Sequence, residues 1–83
     1  DEAVARQMVT FAGMCREAFQ QGDLSLLLSL RTLITWAENL QYFDDIAKAA
    51  SLTFGERCDR SERLFLGELF QRTFGVELYN ENS

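Results

Sequence analysis

The sequence predicts an all-α fold, a small four-helix bundle, and three observations lead to this prediction. No proline occurs in the 83 residues, so no residue breaks a helix by removing its backbone donor. Apolar residues recur at three- and four-residue spacing in four segments, and almost no part of the chain has the pattern of a strand. Residues that start and end helices border these segments. We therefore expect helices over residues 1–21, 29–41, 45–54 and 60–74.

Length and charge limit the function classes. A chain of 83 residues can bury one marginal core and forms one small domain. Its net charge of −5 argues against binding to nucleic acid or to an anionic membrane, since both require a basic surface. No apolar run reaches the roughly 18–20 residues of a membrane span, and no secretory signal is visible. We expect a cytoplasmic protein that keeps Cys15 and Cys58 as buried thiols. Its first residue, Asp1, suggests a fragment of a longer chain.

The first helix is amphipathic, and the segment after it is apolar. The residues predicted to face the core share helical spacing: Val4, Met8, Phe11, Ala12, Cys15 and Phe19. The helix dipole favours the acidic residues at its start. Gly22 is predicted to end the helix in the left-handed conformation. We expect the connector, residues 23–28, to be buried because most of its residues are apolar.

The second helix has the best start signal in the chain, because Ser29 can cap its first turn. Its apolar stripe is predicted to comprise Leu30, Leu33, Ile34, Ala37 and Leu40. Trp36 lies off this stripe, and we expect it to pack in the core or at a domain junction. Thr35 and Glu38 share a face with Arg31.

The last two helices have acidic caps. Asp44 or Asp45 is predicted to cap the third helix, and this interpretation is preferred over a catalytic pair of carboxylates. Asp59 and Glu62 have the spacing of a capping box at the fourth helix. The core face of that helix is predicted to comprise Leu64, Phe65, Leu69, Phe70 and Thr73, and to be widened by Leu66 and Phe74. We expect Gly75 to end it and residues 80–83 to fray.

The residue types exclude several chemistries. The chain has no histidine, which rules out the usual serine and cysteine triads and most metal hydrolases. Without histidine or a Cys-x-x-Cys pair, a zinc site is not expected. No Gly-x-x-x-x-Gly-Lys-Ser/Thr loop is present, so the main phosphate cradle of a P-loop ATPase is missing. We expect no catalytic residue and no metal ligand in this chain.

Arginines remain as candidate functional residues. Arg31 falls in the first turn of the second helix, where a cation is mildly disfavoured by the dipole but suits an anion such as phosphate. From local chemistry alone, an exposed arginine on a solvated face is the simpler interpretation. A second cluster comprises Arg57, Arg60 and Arg63. Salt bridges to neighbouring acids, Glu56, Asp59 and Glu62, are the preferred explanation for that cluster.

The second helix also carries a family resemblance. Residues 28–39, which include Ser29, Arg31 and Thr35-Trp36-Ala37-Glu38-Asn39, resemble the sensor 2 helix of MoxR-type AAA+ ATPases, in particular the small AAA+ subunits of cobaltochelatases. The similarity continues through the stretches Leu52-Thr53-Phe54, Cys58-Asp59, Glu62-Arg63 and Phe70-Gln71-Arg72-Thr73-Phe74-Gly75. One departure is Leu30, where the family usually has the proline that presets the first helical turn.

The resemblance implies a helical lid of the AAA+ type that closes over ATP and Mg bound to an N-terminal α/β subdomain of the same chain. It implies that Arg31 contacts the γ-phosphate and that Arg57, Arg60 and Arg63 are available to a neighbouring subunit of a homo-oligomeric ring. It further implies that the ring acts with the large cobaltochelatase subunit in the insertion of cobalt into a cobalamin precursor. Alone, the chain is not expected to hydrolyse ATP. The alternatives are a lid whose ATPase has another client and a stand-alone helical interaction module.

Overall fold

The computed structural model describes residues 1–79, and over this range it contains four α-helices and no strand. The helices are α1 (Glu2–Gln20), α2 (Leu30–Phe43), α3 (Ile46–Thr53) and α4 (Arg63–Phe74). Two 3₁₀ turns, Gly55–Arg57 and Arg60–Glu62, connect α3 to α4. The predicted all-α fold with four helices is confirmed. The predicted fraying of residues 80–83 falls outside the described residues.

Helix α1 begins and ends where flanking residues satisfy the backbone groups that a helix leaves unpaired. The Asp1 carboxylate accepts a hydrogen bond from a first-turn N–H at 2.9 Å. At the other end Gly22 adopts a left-handed φ of 84°. The N–H groups of Gly22 and Asp23 donate to Phe19 O and Ala18 O at 3.1 and 2.8 Å. This Schellman motif requires positive φ, which explains the glycine.

Helix α2 and the α2–α3 junction are also fixed by local side chains. Ser29 Oγ accepts a hydrogen bond from Thr32 N at 3.2 Å, as the cap predicted. The helix extends to Phe43, beyond the predicted end at residue 41, and Asp44 then takes a left-handed φ of 51°. The Asp45 carboxylate accepts hydrogen bonds from two N–H groups of α3 at 3.0 and 3.1 Å. The prediction that one of these two acids caps α3 is confirmed.

The start of α4 differs from the predicted capping box. The Asp59 carboxylate accepts hydrogen bonds from Ser61 N and Oγ at 3.0 and 2.9 Å. The Glu62 carboxylate accepts from Ser25 N and Oγ at 2.9 and 3.0 Å. Because residues 60–62 form a 3₁₀ turn, Glu62 does not occupy the third position of an α-helix, and its side chain reaches the connector instead. The α-helix therefore begins at Arg63, and residues 23–28 are tied to it.

The core is an aromatic cluster built by α1, α2, α4 and the residue that follows α3. Trp36, Phe11, Phe54 and Phe70 are fully buried. The Trp36 ring centroid lies 5.8 Å from that of Phe11 and 5.1 Å from that of Phe54, both in edge-to-face geometry. Burial of each large apolar side chain stabilises the fold by about 1.5–3 kcal/mol, and favourable ring pairs add roughly 0.5–1.5 kcal/mol. This cluster is therefore the main source of stability.

The rotation of α2 about its axis differs from the prediction. Trp36 packs in the core, which is one of the two places predicted for it. Leu30 and Ile34 from the predicted stripe are 74% and 52% exposed, and Ala37 is exposed as well. Leu33 and Leu40 are partly buried. The helix cannot bury the whole stripe and Trp36 together, and the indole has the larger apolar surface to remove from water.

Similar smaller errors occur on α1 and α4. Phe19 was predicted to face the core but is 40% exposed, and Ala18 is buried in its place. Leu64 was also predicted on the core face but is 78% exposed, whereas Leu66, predicted only to widen that face, is fully buried. Of the other core residues predicted for these helices, Met8, Phe11, Cys15, Leu69 and Phe70 are buried and the rest are partly buried, so the errors lie at the margins of the predicted faces.

Replacing Trp36 with alanine should destabilise the folded chain by about 3–5 kcal/mol, because it leaves a cavity among three buried phenylalanines. Thermal unfolding followed by circular dichroism measures this loss. Leu30→Ala on the same helix is the matched control, and since Leu30 is 74% exposed, it should change stability by less than about 0.5 kcal/mol. Equal losses from the two substitutions would contradict the observed rotation of α2.

Asp44→Gly should stabilise the chain by about 0.5–1 kcal/mol, because Asp44 has a φ of 51° and glycine adopts this conformation without steric cost. Asp45→Ala should instead cost about 1 kcal/mol by removing the α3 cap. The melting temperature should rise for the first variant and fall for the second, by roughly 4–8 °C per kcal/mol. Shifts of the same sign would contradict the different backbone roles of these acids.

Candidate functional site

Arg31 occupies the second residue of α2, directly after the residue that follows the Ser29 cap. Besides accepting from Thr32 N, Ser29 Oγ lies 3.1 Å from Thr32 Oγ1, so the first turn is held by two side chains. Arg31 is exposed. Within residues 1–79 the structure records no hydrogen bond or ion pair made by its guanidinium. Its five N–H donors are therefore available to a group outside this chain segment.

The two residues predicted to share the Arg31 face do not neutralise it. Thr35 Oγ1 donates a hydrogen bond to Arg31 O at 3.1 Å, so this hydroxyl contacts the backbone. Across the described part of the chain the one ion pair joins Arg6 to Glu2, and Glu38 forms none with Arg31. The positive charge at the α2 N-terminus is thus uncompensated, which is the electrostatic arrangement that attracts an anion.

An apolar groove of about 200 Å³ lies beside this turn, between α1 and the start of α2. It is lined by Val9, Ala12, Gly13, Arg16, Leu28, Leu30 and Leu33, and includes no carboxylate. Val9, which lines the groove, is 65% exposed, and Ile34, one turn after Leu30, is 52% exposed. We call Val9, Leu30 and Ile34 the α1–α2 edge. This surface was not predicted from the sequence, because helical spacing placed Leu30 and Ile34 on the apolar stripe of α2.

The second arginine cluster does not form the salt bridges that the sequence favoured. Arg57 Nη2 donates to Thr53 O at 2.7 Å. Arg63 donates from Nε to Cys58 O at 3.2 Å and from Nη2 to Glu56 O at 3.0 Å. Its guanidinium also stacks on the Tyr79 ring, 5.2 Å from the centroid. These two arginines satisfy backbone carbonyls at the end of α3 and in the segment with the 3₁₀ turns, which the helical hydrogen bonds leave open.

Arg60 differs from its two neighbours. It is exposed and lines a groove of about 610 Å³ along α4 that also includes Leu64 and Tyr79. This groove shares no lining residue with the one beside Arg31. A contact of Arg57, Arg60 or Arg63 with a neighbouring subunit stays a prediction, and Arg60 is the one whose side chain has no recorded bond within residues 1–79.

The shifted titratable groups lie away from the Arg31 groove. Burial raises the pKa of the Cys15 thiol to about 12, and it also raises the pKa of Cys58. Burial likewise raises the pKa of Tyr79, whose hydroxyl donates to Gly55 O at 2.6 Å. None of these three side chains lines the groove. Their pKa shifts follow from packing in the core.

The described part of the chain has no group of three or more His, Cys, Asp or Glu side chains placed to hold a metal ion. None of the helices in residues 1–79 is both long and apolar enough to cross a bilayer.

Both thiols should resist iodoacetamide at pH 8 in the folded chain, because Cys15 and Cys58 are buried and their thiolate forms are disfavoured. Both should react after addition of denaturant, and mass spectrometry of the labelled chain measures the difference. Since folding raises the Cys15 pKa above its ordinary value of 9.0, the free energy of unfolding should fall as the pH rises above about 9. Rapid labelling of Cys15 without denaturant would contradict its burial.

Comparison with known proteins adds two findings. The family described as CbbQ/NirQ/NorQ C-terminal matches residues 1–59 of this chain. The chain is also 51% identical over 72 residues to the aerobic cobaltochelatase subunit CobS of a Sinorhizobium species. That alignment covers 87% of this chain and 22% of the relative, so the chain spans less than a quarter of the relative's length. No solved structure matches the chain.

Proposed function

Because this chain belongs to the CbbQ/NirQ/NorQ C-terminal domain family, the helical lid of MoxR-type AAA+ proteins, we propose that it closes over ATP in its parent protein and that Arg31 binds the γ-phosphate. The observation that carries the proposal is the state of Arg31. Its guanidinium is exposed, lies in the first turn of α2, and has no recorded carboxylate partner within residues 1–79.

The chemistry of this first turn suits a phosphate. A guanidinium presents donors in a planar fork that matches phosphate oxygens, and helix N-terminal N–H groups favour negative charge. Arg31 would donate hydrogen bonds to γ-phosphate oxygens and stabilise the charge that builds on them during hydrolysis. When bound, ATP with its Mg²⁺ supplies the phosphoryl group that is transferred to water. Since residues 1–79 hold no cluster of metal ligands, we expect the α/β subdomain to provide the Mg²⁺ ligands.

The α1–α2 edge supplies the proposed contact with that α/β subdomain. Val9, Leu30 and Ile34 are each more than half exposed, and exposed apolar surface of this kind is typical of an interface. The edge adjoins Arg31 in α2, so a subdomain that covers it would bring its bound nucleotide near the guanidinium. Closure would then couple burial of the edge to phosphate contact, which links hydrolysis to lid movement.

The proposed client of the ATPase is based on the cobaltochelatase subunit to which the chain is similar. The chain is 51% identical over the aligned region to a protein named as a cobaltochelatase subunit. We infer that the parent protein forms a homo-oligomeric ring, acts with a large cobaltochelatase subunit, and uses ATP hydrolysis for a conformational step in cobalt insertion into a cobalamin precursor. A MoxR-type protein with another client would use the same Arg31 chemistry, whereas a stand-alone interaction module would not need it.

Arg31→Ala in the full-length parent protein should lower the rate of ATP hydrolysis by about 10²-fold or more, because it removes a donor to the charge of the transition state. The melting temperature should change little, since Arg31 is exposed. Release of inorganic phosphate at saturating ATP measures the rate.

Arg6→Ala is the matched control, because Arg6 is an exposed arginine paired with Glu2 on α1 at 3.0 Å. It should hydrolyse ATP at the wild-type rate. If Arg31→Ala also retained wild-type hydrolysis, the proposed role of Arg31 would be wrong and the interaction-module alternative would be favoured.

A further inference from the structure

Two side chains attach α2 to the rest of the described fold by hydrogen bonds, and both reach across to α3. Trp36 Nε1 donates to Ile46 O at 3.3 Å. Asn39 Nδ2 donates to Thr53 Oγ1 at 2.8 Å. Trp36 has an obvious packing role in the aromatic cluster, whereas Asn39 is a polar side chain, part-buried at a helix contact, which requires a separate explanation.

The acceptor of Asn39 belongs to a short chain of hydrogen bonds. Thr53 is 7% exposed, and its Oγ1 donates to Ala49 O at 2.6 Å. Because that bond uses the only hydroxyl proton, Oγ1 can act only as an acceptor toward Asn39. The Thr53 carbonyl accepts from Arg57 Nη2 at 2.7 Å. The donor and the acceptor of each of these three hydrogen bonds are therefore determined. Loss of the Thr53 hydroxyl would leave the Asn39 amide without this partner.

The geometry of α2 connects this bond to Arg31. Since each residue turns a helix by about 100°, Asn39 lies about 80° and Trp36 about 140° around the axis from Arg31. Asn39 and Trp36 are thus about 60° apart on the side that contacts α3. Two anchors at different angles and heights fix how α2 is rotated on α3. The same rotation sets the direction in which the Arg31 side chain leaves the helix.

We propose that Asn39 is a positioning residue, which acts through its hydrogen bond to Thr53 by holding α2 in the rotation that presents Arg31 to the phosphate. This inference rests on the proposed function. Catalysis is sensitive to such placement, because an error of about 1 Å in a charged group can cost roughly 10²-fold in rate.

The test uses a matched pair at position 53 in the full-length parent protein. Thr53→Val keeps the shape of the side chain but removes the hydroxyl, whereas Thr53→Ser keeps the hydroxyl. We expect Thr53→Val to lower kcat for ATP hydrolysis by about tenfold with little change in KM, because the loss concerns the transition state. Thr53→Ser should retain kcat within about twofold of the wild type.

A double-mutant cycle with Arg31→Ala separates positioning from general damage to the fold. If Asn39 and Thr53 act through Arg31, Thr53→Val should lower the rate by less than about twofold in the Arg31→Ala background. The same tenfold loss in both backgrounds would overturn the inference, as would a Thr53→Val enzyme with the wild-type rate. A wild-type rate for Arg31→Ala alone would refute the proposed function, which is a distinguishable result.

If Thr53→Val does not fold, a second variant tests the inference. The pair Asn39→Leu with Thr53→Val replaces both partners by apolar groups and leaves no donor unpaired, which is often nearly neutral for stability. It should fold, as measured by thermal unfolding of the parent protein, and should still lose about tenfold in kcat only when Arg31 is present. Full activity of this folded pair would overturn the inference.

Discussion

The burial of one indole ring determines the rest of this structure. Trp36 packs against Phe11, Phe54 and Phe70, which lie in α1, directly after α3 and in α4. A domain of this size has one marginal core, so α2 must adopt the rotation that buries its largest side chain. Once Trp36 faces inward, Leu30 and Ile34 lie at the side and Arg31 lies outside. The site and the α1–α2 edge are consequences of that rotation.

Acidic and basic side chains bond to different groups of the backbone. Carboxylates of Asp1, Asp45 and Asp59 accept backbone N–H groups where helices or turns begin. Arg57 and Arg63 donate to carbonyls around the 3₁₀ turns. Within residues 1–79 the one ion pair joins Arg6 to Glu2, so these acids and bases bond to the backbone and not to each other. Arg16, Arg31, Arg60 and Arg72 have no recorded side-chain bond within residues 1–79, and of these four only Arg31 lies in the first turn of an α-helix. This position is the structural reason for assigning Arg31 an anionic ligand.

Features that depend on neighbouring residues were predictable from the sequence. Ser29 caps α2, Gly22 has a φ of 84°, and Gly75 has a φ of 74°, because caps and left-handed positions are set by residue types a few places apart. The position of Arg31 in the first turn follows from the same local logic. Its proposed contact with a nucleotide was not predictable from local chemistry and came from family resemblance.

Features that depend on tertiary packing were not predictable in the same way. Glu62 has a suitable partner within its own turn, yet it bonds to Ser25, 37 residues away. Periodicity gives every apolar residue of α2 equal weight, whereas burial favours the one with the largest surface. The groove beside Arg31 needs two helices to form, so no single segment signals it. The Asn39 bond likewise depends on Thr53, in the next helix.

The near absence of ion pairs within residues 1–79 has a consequence for ionic strength. Added salt screens attraction between opposite charges but acts weakly on neutral hydrogen bonds and apolar packing. A fold held by aromatic burial and backbone caps should tolerate salt, while a guanidinium that meets a multiply charged anion at an exposed surface should not. Dissolved ions should thus weaken the proposed contact of Arg31 with phosphate and leave the architecture of the domain intact.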